Sequence, residues 1–130
     1  MKIFFDTNII ISAYYFKGNE RKALLKTINS NHTPVISTQV VSEIQEVMEN
    51  KFDEKEDDIE DFLERLLADV TLGGDHKMEV DIVDEPDRYI IGSAVKADCD
   101  FLVTGDKGIQ DCEIEEIRIV NTRELLKSLD

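Results

Sequence analysis

Soft-metal ligands are scarce in this sequence: two cysteines, Cys99 and Cys112, and two histidines, His32 and His76, are all it offers. Two cysteines without paired histidines make a poor zinc site, and so few build no disulfide framework. Both thiols are expected to be reduced and buried or half-buried. Both histidines lie in polar stretches far apart in the sequence and are expected to face solvent. Long apolar runs are also missing. None approaches the ~20 residues a membrane helix needs. The apolar N-terminus is broken at Asp6, with no small-residue cleavage site after it, so a cytoplasmic protein without a signal peptide is expected. Positive charge is short: 15 Lys and Arg stand against 29 Asp and Glu, a net charge of −14. That balance argues against a nucleic-acid binder held by a broad basic face. There is no glycine-rich phosphate loop and no nucleophilic Ser or Cys motif, which sets aside P-loop chemistry and a covalent enzyme intermediate.

What is present suits a single domain over residues 1–130, long enough for a substantial core. Lys2–Phe5 reads as a short buried strand, and Asn8–Phe16 as a mostly apolar helix. Gly18 and Asn19 interrupt it, and Asn19 can cap a second helix over Glu20–Asn29 with Ala23, Leu24, Leu25 and Ile28 on one side. "PVIS" is a strand of the continuous-apolar kind expected when both sheet faces are covered. Ser37 or Thr38 can cap the helix "QVVSEIQEVMEN". Residues 53–70 carry Ile59, Phe62, Leu63, Leu66, Leu67 and Val70 at helical spacing, with acids over the rest; the acid run at its start reads as a solvated face. "LGGD" ends that helix, and the alternation of Met78, Val80 and Ile82 permits a short strand. "DEPD" opens a further helix, with Asp84 as cap and Pro86 in the first turn. "DFLVTGDKG" is a strand and a glycine-rich turn, "IRIVNT" another strand, and "RELLKSLD" a closing helix. Strands alternating with helices predict an α/β fold, a mostly parallel sheet covered by helices on both faces.

In such sheets ligands gather at the carboxyl ends of the strands. Asp6 directly follows the first strand, and Asp106 follows "FLVT", so both emerge at the same sheet edge. Glu43 lies about one and a half turns into the helix after the second strand. It sits beside the stripe Val40, Ile44, Val47 and away from the polar face of Ser42, Glu46 and Glu49. Asp87 lies at the start of a helix leading into "DFLVT". Each acid alone has a bland reading as a cap, a turn residue or an ion-pair partner. Together they favour function. Clustered carboxylates repel, and some would take up protons unless a cation joined them. Oxygen donors without His or Cys select hard ions, Mg²⁺ or Mn²⁺. Asn8 can orient Asp6 or a bound water, and Thr104 can donate to Asp106 or hold the attacking water. Such a site suits phosphodiester hydrolysis, with two ions ~4 Å apart serving the attacking and leaving oxygens.

With the four acids placed, the sequence resembles the PIN-domain family of metal-dependent ribonucleases, in particular its VapC-like toxin branch. "FFDTNIIISA" is similar to the opening strand and its Asp-Thr-Asn. "STQVVSEIQEV" is similar to the helix that supplies the family's glutamate, here Glu43. "DEPDRYIIGSAVKADCDFLVTGD" resembles the block bearing its last two aspartates, here Asp87 and Asp106. The resemblance covers nearly the whole chain. It implies a three-layer α/β/α sandwich, Mg²⁺ or Mn²⁺, endonucleolytic cleavage of RNA, frequent homodimers and, for toxins, a small antitoxin partner. Asp84 rivals Asp87 in register, and the spacing to Ile90 and to the helix alanine favours Asp87. Asp111 is a weaker auxiliary acid. Against the overall acidity stand Arg21, Lys22, Lys26, Arg88 and Lys107.

Two other classes compete. A receiver-like signalling domain would share the acidity, size and Mg²⁺, but it needs paired acids after the first strand, and Asp6 is followed by Thr7 and Asn8. A metal-free PIN-like scaffold that only binds partners would not need four acids.

Overall fold

The computed structural model describes residues 1–81 and 83–129. In chain order the elements are β1 (Lys2–Phe5), α1 (Thr7–Tyr15), α2 (Asn19–Ile28), β2 (Thr33–Ser37), α3 (Thr38–Asn50), α4 (Glu56–Asp69), β3 (Thr71–Gly73), α5 (Glu85–Lys96), β4 (Phe101–Val103), α6 (Lys107–Gln110), β5 (Arg118–Val120) and α7 (Thr122–Ser128). The strands form one sheet in the order β3-β2-β1-β4-β5. Every pairing is parallel, with Ile3 beside Pro34 on one side and Phe101 on the other.

The α/β/α expectation is met. Successive strand residues point to opposite faces, yet Ile3, Phe4 and Phe5 are at most 1% exposed, so helices cover both faces of β1. A receiver has the flavodoxin-like order 2-1-3-4-5. The order here differs, and the receiver reading falls with it.

The order also locates the functional edge. The chain winds outward from β1 through β2 to β3, then crosses to the far side of β1 for β4 and β5. The switch between those directions lies at β1 and β4, where a crevice opens at the strands' carboxyl ends. The ladder runs on past both strands: Asp6 N–H donates to Val103 O at 3.1 Å and Thr104 N–H to Val120 O at 3.0 Å.

Several local expectations are corrected. The outer strand is Thr71–Gly73, not Met78–Ile82: Leu72 and Gly73 pair with Ile36 and Ser37 instead of ending α4 in a turn. Met78 and Val80 alternate because they pack half-buried on the core as irregular chain; Ile82 lies outside the described residues, as does Asp130. The segment 76–78 lies across α5, with His76 N–H donating to Ser93 Oγ at 2.9 Å and Met78 N–H to Arg88 O at 3.1 Å. Gly18, not Asn19, is the N-cap of α2. In that helix Leu25 is 48% exposed, while Thr27 is buried, its hydroxyl donating to Ala23 O. Helix α4 starts at Glu56 instead of residue 53, and Leu67 on its predicted stripe is exposed. The turn after β4 contains the short helix α6. His76 is exposed, whereas His32 is half-buried beside the terminal amine of Met1.

Gly92 explains the crossing of segment 76–78. A methyl there would run into the His76 carbonyl and come within 2.6 Å of Met78 N. Ala is the better helix former by about 1 kcal/mol, but a clash with backbone cannot be relieved by a rotamer change. Gly92→Ala is therefore expected to lower stability by roughly 2 kcal/mol net, read from the midpoint of urea unfolding; an equal or higher midpoint would contradict the close crossing.

Candidate active site

Strand β1 carries Asp6 out of the core with 7% of its surface exposed. Asp6 is the N-cap of α1. Its Oδ1 accepts the Thr7 N–H at 2.8 Å, and its Oδ2 accepts the Thr104 hydroxyl at 2.6 Å. Burial pushes the Asp6 carboxyl above the usual aspartate range. The Thr104 and Thr7 hydrogen bonds oppose that rise, and the nearby Glu43 and Asp106 charges add to it.

Thr104 is wholly buried just after β4. Its hydroxyl goes to Asp6 and not to the Asp106 carboxylate; it meets Asp106 through the backbone, accepting that residue's N–H at 3.0 Å. Asp106 is the N-cap of α6, with Oδ1 accepting from Gly108 N at 2.7 Å and Ile109 N at 3.2 Å. An acid held there faces the positive end of the helix.

Glu43 comes from α3, whose N-cap Ser37 accepts the Val40 N–H at 3.3 Å. It is half-buried. Its Oε1 accepts the Thr7 hydroxyl at 2.5 Å and its Oε2 the Gln39 side-chain amide at 3.4 Å. Asp87 lies in the first turn of α5, half-buried, with the exposed Asp84 as N-cap. Its carboxyl is pushed up to about 6, first by burial and then by the charges of Asp106, Asp6, Asp84 and Glu43.

These four acids line one cleft of about 330 Å³ with Thr7, Asn8, Glu46, Val47 and Ile90. Asp6, Glu43, Asp87, Asp106 and Asn8 are thus brought together, and Thr104 sits beneath Asp6. Asp84 is an exposed cap and Asp111 an exposed residue ending α6; neither lines the cleft. Glu46 does, although the helical wheel places it on the polar face; three residues beyond Glu43, it neighbours that acid on the helix surface. Sequence reasoning also missed Thr7 and Gln39, whose polar partners lie far away in the chain. The Asp-Thr-Asn string was the one available signal for Thr7.

Among the described residues, none of the four acids is ion-paired, and no three His, Cys, Asp or Glu side chains stand as a ready-made metal cage. Three of the four are turned to neighbouring donors: Asp6 to Thr7 and Thr104, Glu43 to Thr7 and Gln39, and Asp106 to the amides of α6. The donor set still fits a hard divalent cation. It is all oxygen, burial and then mutual repulsion raise two of the acids, and among the described residues no ion pair relieves them. Arg88 is engaged with Glu79 and Glu85, and Arg21 donates to the Ala13 and Tyr14 carbonyls. Both cysteines are buried and free, and burial pushes the Cys99 thiol up to about 12.

The sequence matches the PIN domain family over residues 2–108. No curated protein matches it. The fold is similar to that of VapBC2 from Rickettsia felis, solved bound to a DNA fragment from the promoter, with a TM-score of 0.69, 19% identity, and coverage of 93% of this chain and 98% of that one. VapBC-1 from nontypeable Haemophilus influenzae gives 0.64 at 16% identity, covering 95% and 99% of the two chains. A PilT N-terminus domain protein from Sulfolobus solfataricus P2 gives 0.62 at 22% identity, covering 99% and 93%. At these identities the likeness is one of fold. The family match, spanning most of the chain from β1 to the start of α6, establishes that the protein belongs to the PIN domain family.

Proposed function

We propose that residues 1–130 act as one Mg²⁺- or Mn²⁺-dependent endoribonuclease, the toxin of a toxin–antitoxin pair. The observation that carries this reading is the meeting of Asp6, Glu43, Asp87 and Asp106, from four separate parts of the chain, in one cleft at the sheet's switch point. These carboxylates would hold the metal, which when bound offsets phosphate charge and activates water for hydrolysis. Thr104 and Thr7 orient the two oxygens of Asp6, and their hydrogen bonds oppose the rise in its pKa that burial causes. Asp106 is kept at the rim by the amides of α6. Asn8, exposed at the cleft in the first turn of α1, contacts the substrate or its attacking water. With a net charge of −14, the protein binds RNA weakly without metal and with steep salt dependence.

The partner surface we assign to the antitoxin is an apolar groove lined by Ile10, Tyr14, Leu24, Leu25 and Phe62 from α1, α2 and α4. Tyr14 and Leu25 are exposed there, and Phe16 is 59% exposed just beyond α1. Contiguous apolar surface of this kind marks an interaction site. The antitoxin is the partner that the VapC-like resemblance implies, VapBC structures share the fold, and a second copy of this chain is the competing occupant. The check is a short neighbouring reading frame for a DNA-binding protein whose product co-purifies and blocks cleavage.

The direct test is incubation of the purified protein with structured and single-stranded RNA. Cleavage in Mn²⁺ or Mg²⁺ that stops in excess EDTA and returns with added metal is expected. Activity untouched by EDTA would overturn the metal assignment, and a folded, metal-loaded protein that leaves every RNA intact would favour an inert PIN-like binding module.

A further inference from the structure

We propose that Gln39 is a positioning residue of this cleft, setting the span between Glu43 on α3 and the first turn of α5 that carries Asp87; the proposal rests on the metal-site reading above. The Gln39 amide Nε2 donates to Pro86 O at 3.0 Å and to Glu43 Oε2 at 3.4 Å. Pro86 immediately precedes Asp87. The other Glu43 oxygen accepts from Thr7, whose backbone N–H goes to Asp6. Asp6 in turn accepts from Thr104, which accepts the Asp106 N–H. One hydrogen-bonded chain therefore runs Asp106, Thr104, Asp6, Thr7, Glu43, Gln39, Pro86, with a neutral side chain between successive acid-bearing segments.

The two threonines lie beside β1 and β4, which the sheet already registers. Within this hydrogen-bonded series, and among the described residues, it is Gln39 that links two helices, α3 and α5, which no strand ladder ties together. Without it, hydrogen bonds still tie Glu43 to the Asp6 segment, while only the packing of α3 and α5 relates Glu43 to Asp87. Its backbone is anchored as well, its N–H donating to Asp75 Oδ1 at 2.8 Å. Its carbonyl oxygen, Oε1, is buried with no hydrogen-bond partner among the described residues. A buried carbonyl without a donor is unfavourable, so the amide is held in place by what its NH₂ group does. A neutral amide suits the position: a lysine there would neutralise the acids and compete with the cation they are to bind.

The test is calorimetric titration of Mn²⁺ into the full chain, comparing wild type, Gln39→Met and Asp6→Asn, with thermal unfolding of each metal-free protein. Met keeps the length and loses the donor. Mn²⁺ affinity is expected to fall about 10-fold in Gln39→Met, with the metal-free unfolding temperature close to wild type. If the Met variant does not fold, Gln39→Ala is read by the same criterion. A folded Gln39 variant binding Mn²⁺ within twofold of wild type, while Asp6→Asn loses binding, overturns the positioning role and leaves the metal site standing. A wild type that takes up no Mn²⁺ overturns both.

Discussion

If the proposed function holds, replacing Asp6 with asparagine is expected to lower metal-dependent RNA cleavage by roughly 1,000-fold or more, the scale for removing a ligand that contributes several kcal/mol of charge stabilisation. The fold survives the change. Asp6 caps α1 through a hydrogen bond from Thr7 N–H, and asparagine caps as well as aspartate. The asparagine NH₂ can turn to Thr104, whose hydroxyl accepts as well as donates. Because burial opposes ionisation of Asp6, the metal-free variant is expected to be at least as stable as wild type. Asp106→Asn is expected to behave similarly in activity and to keep the cap of α6. Cleavage rates within tenfold of wild type in both variants, measured in Mn²⁺ on the same RNA, would remove these residues from the reaction.

Metal and pH act together on stability. The Asp87 carboxyl is pushed up to about 6 and Asp6 is also raised, whereas unfolded aspartate titrates near 3.9. A carboxyl with a raised folded-state pKa binds its proton more tightly in the fold. Its contribution is fully present below the unfolded value and is lost as pH rises through the folded one. The metal-free protein should thus lose stability between about pH 4 and pH 7 from these groups. A divalent cation binds the ionised form and restores it. At Mn²⁺ about 100 times its Kd, a gain of roughly 10 °C in unfolding temperature is expected at pH 7.5, and a clearly smaller one at pH 5. Equal shifts at both pH values, or none at pH 7.5, would contradict a cation shared by these carboxylates.

The parts of this molecule legible in its sequence are those whose cause is local. Ile3, Phe4 and Phe5 announce a strand covered on both faces, and Asp6 stands out because it interrupts that run. Glu43 is readable from the wheel of α3, since it flanks the buried residues Val40 and Ile44. What escaped depends on distant chain. Thr71–Gly73 is three residues long and largely exposed, so no pattern marks it; it is a strand because β2 offers an edge. The Met78 and Val80 alternation is genuine, but it comes from lying across α5 at Gly92. Thr7 and Gln39 reach partners 36 and 47 residues away, which no helical or strand period encodes. Thr104 was picked out, but its partner was not: it donates to Asp6, across the sheet.

The central place of β1 bears on when the acid-lined cleft can form. Thr104 and Asp6 are 98 residues apart, and β4 must dock beside β1 before the crevice has two walls. Long-range parallel pairing of this kind is slow and comes late. A nascent polypeptide still emerging from the ribosome, with β1 to β3 made and β4 not yet released, holds only part of the carboxylate set. Until β4 docks, the cleft therefore has only one wall, which leaves an interval for any binder that recognises the first two helices to arrive first.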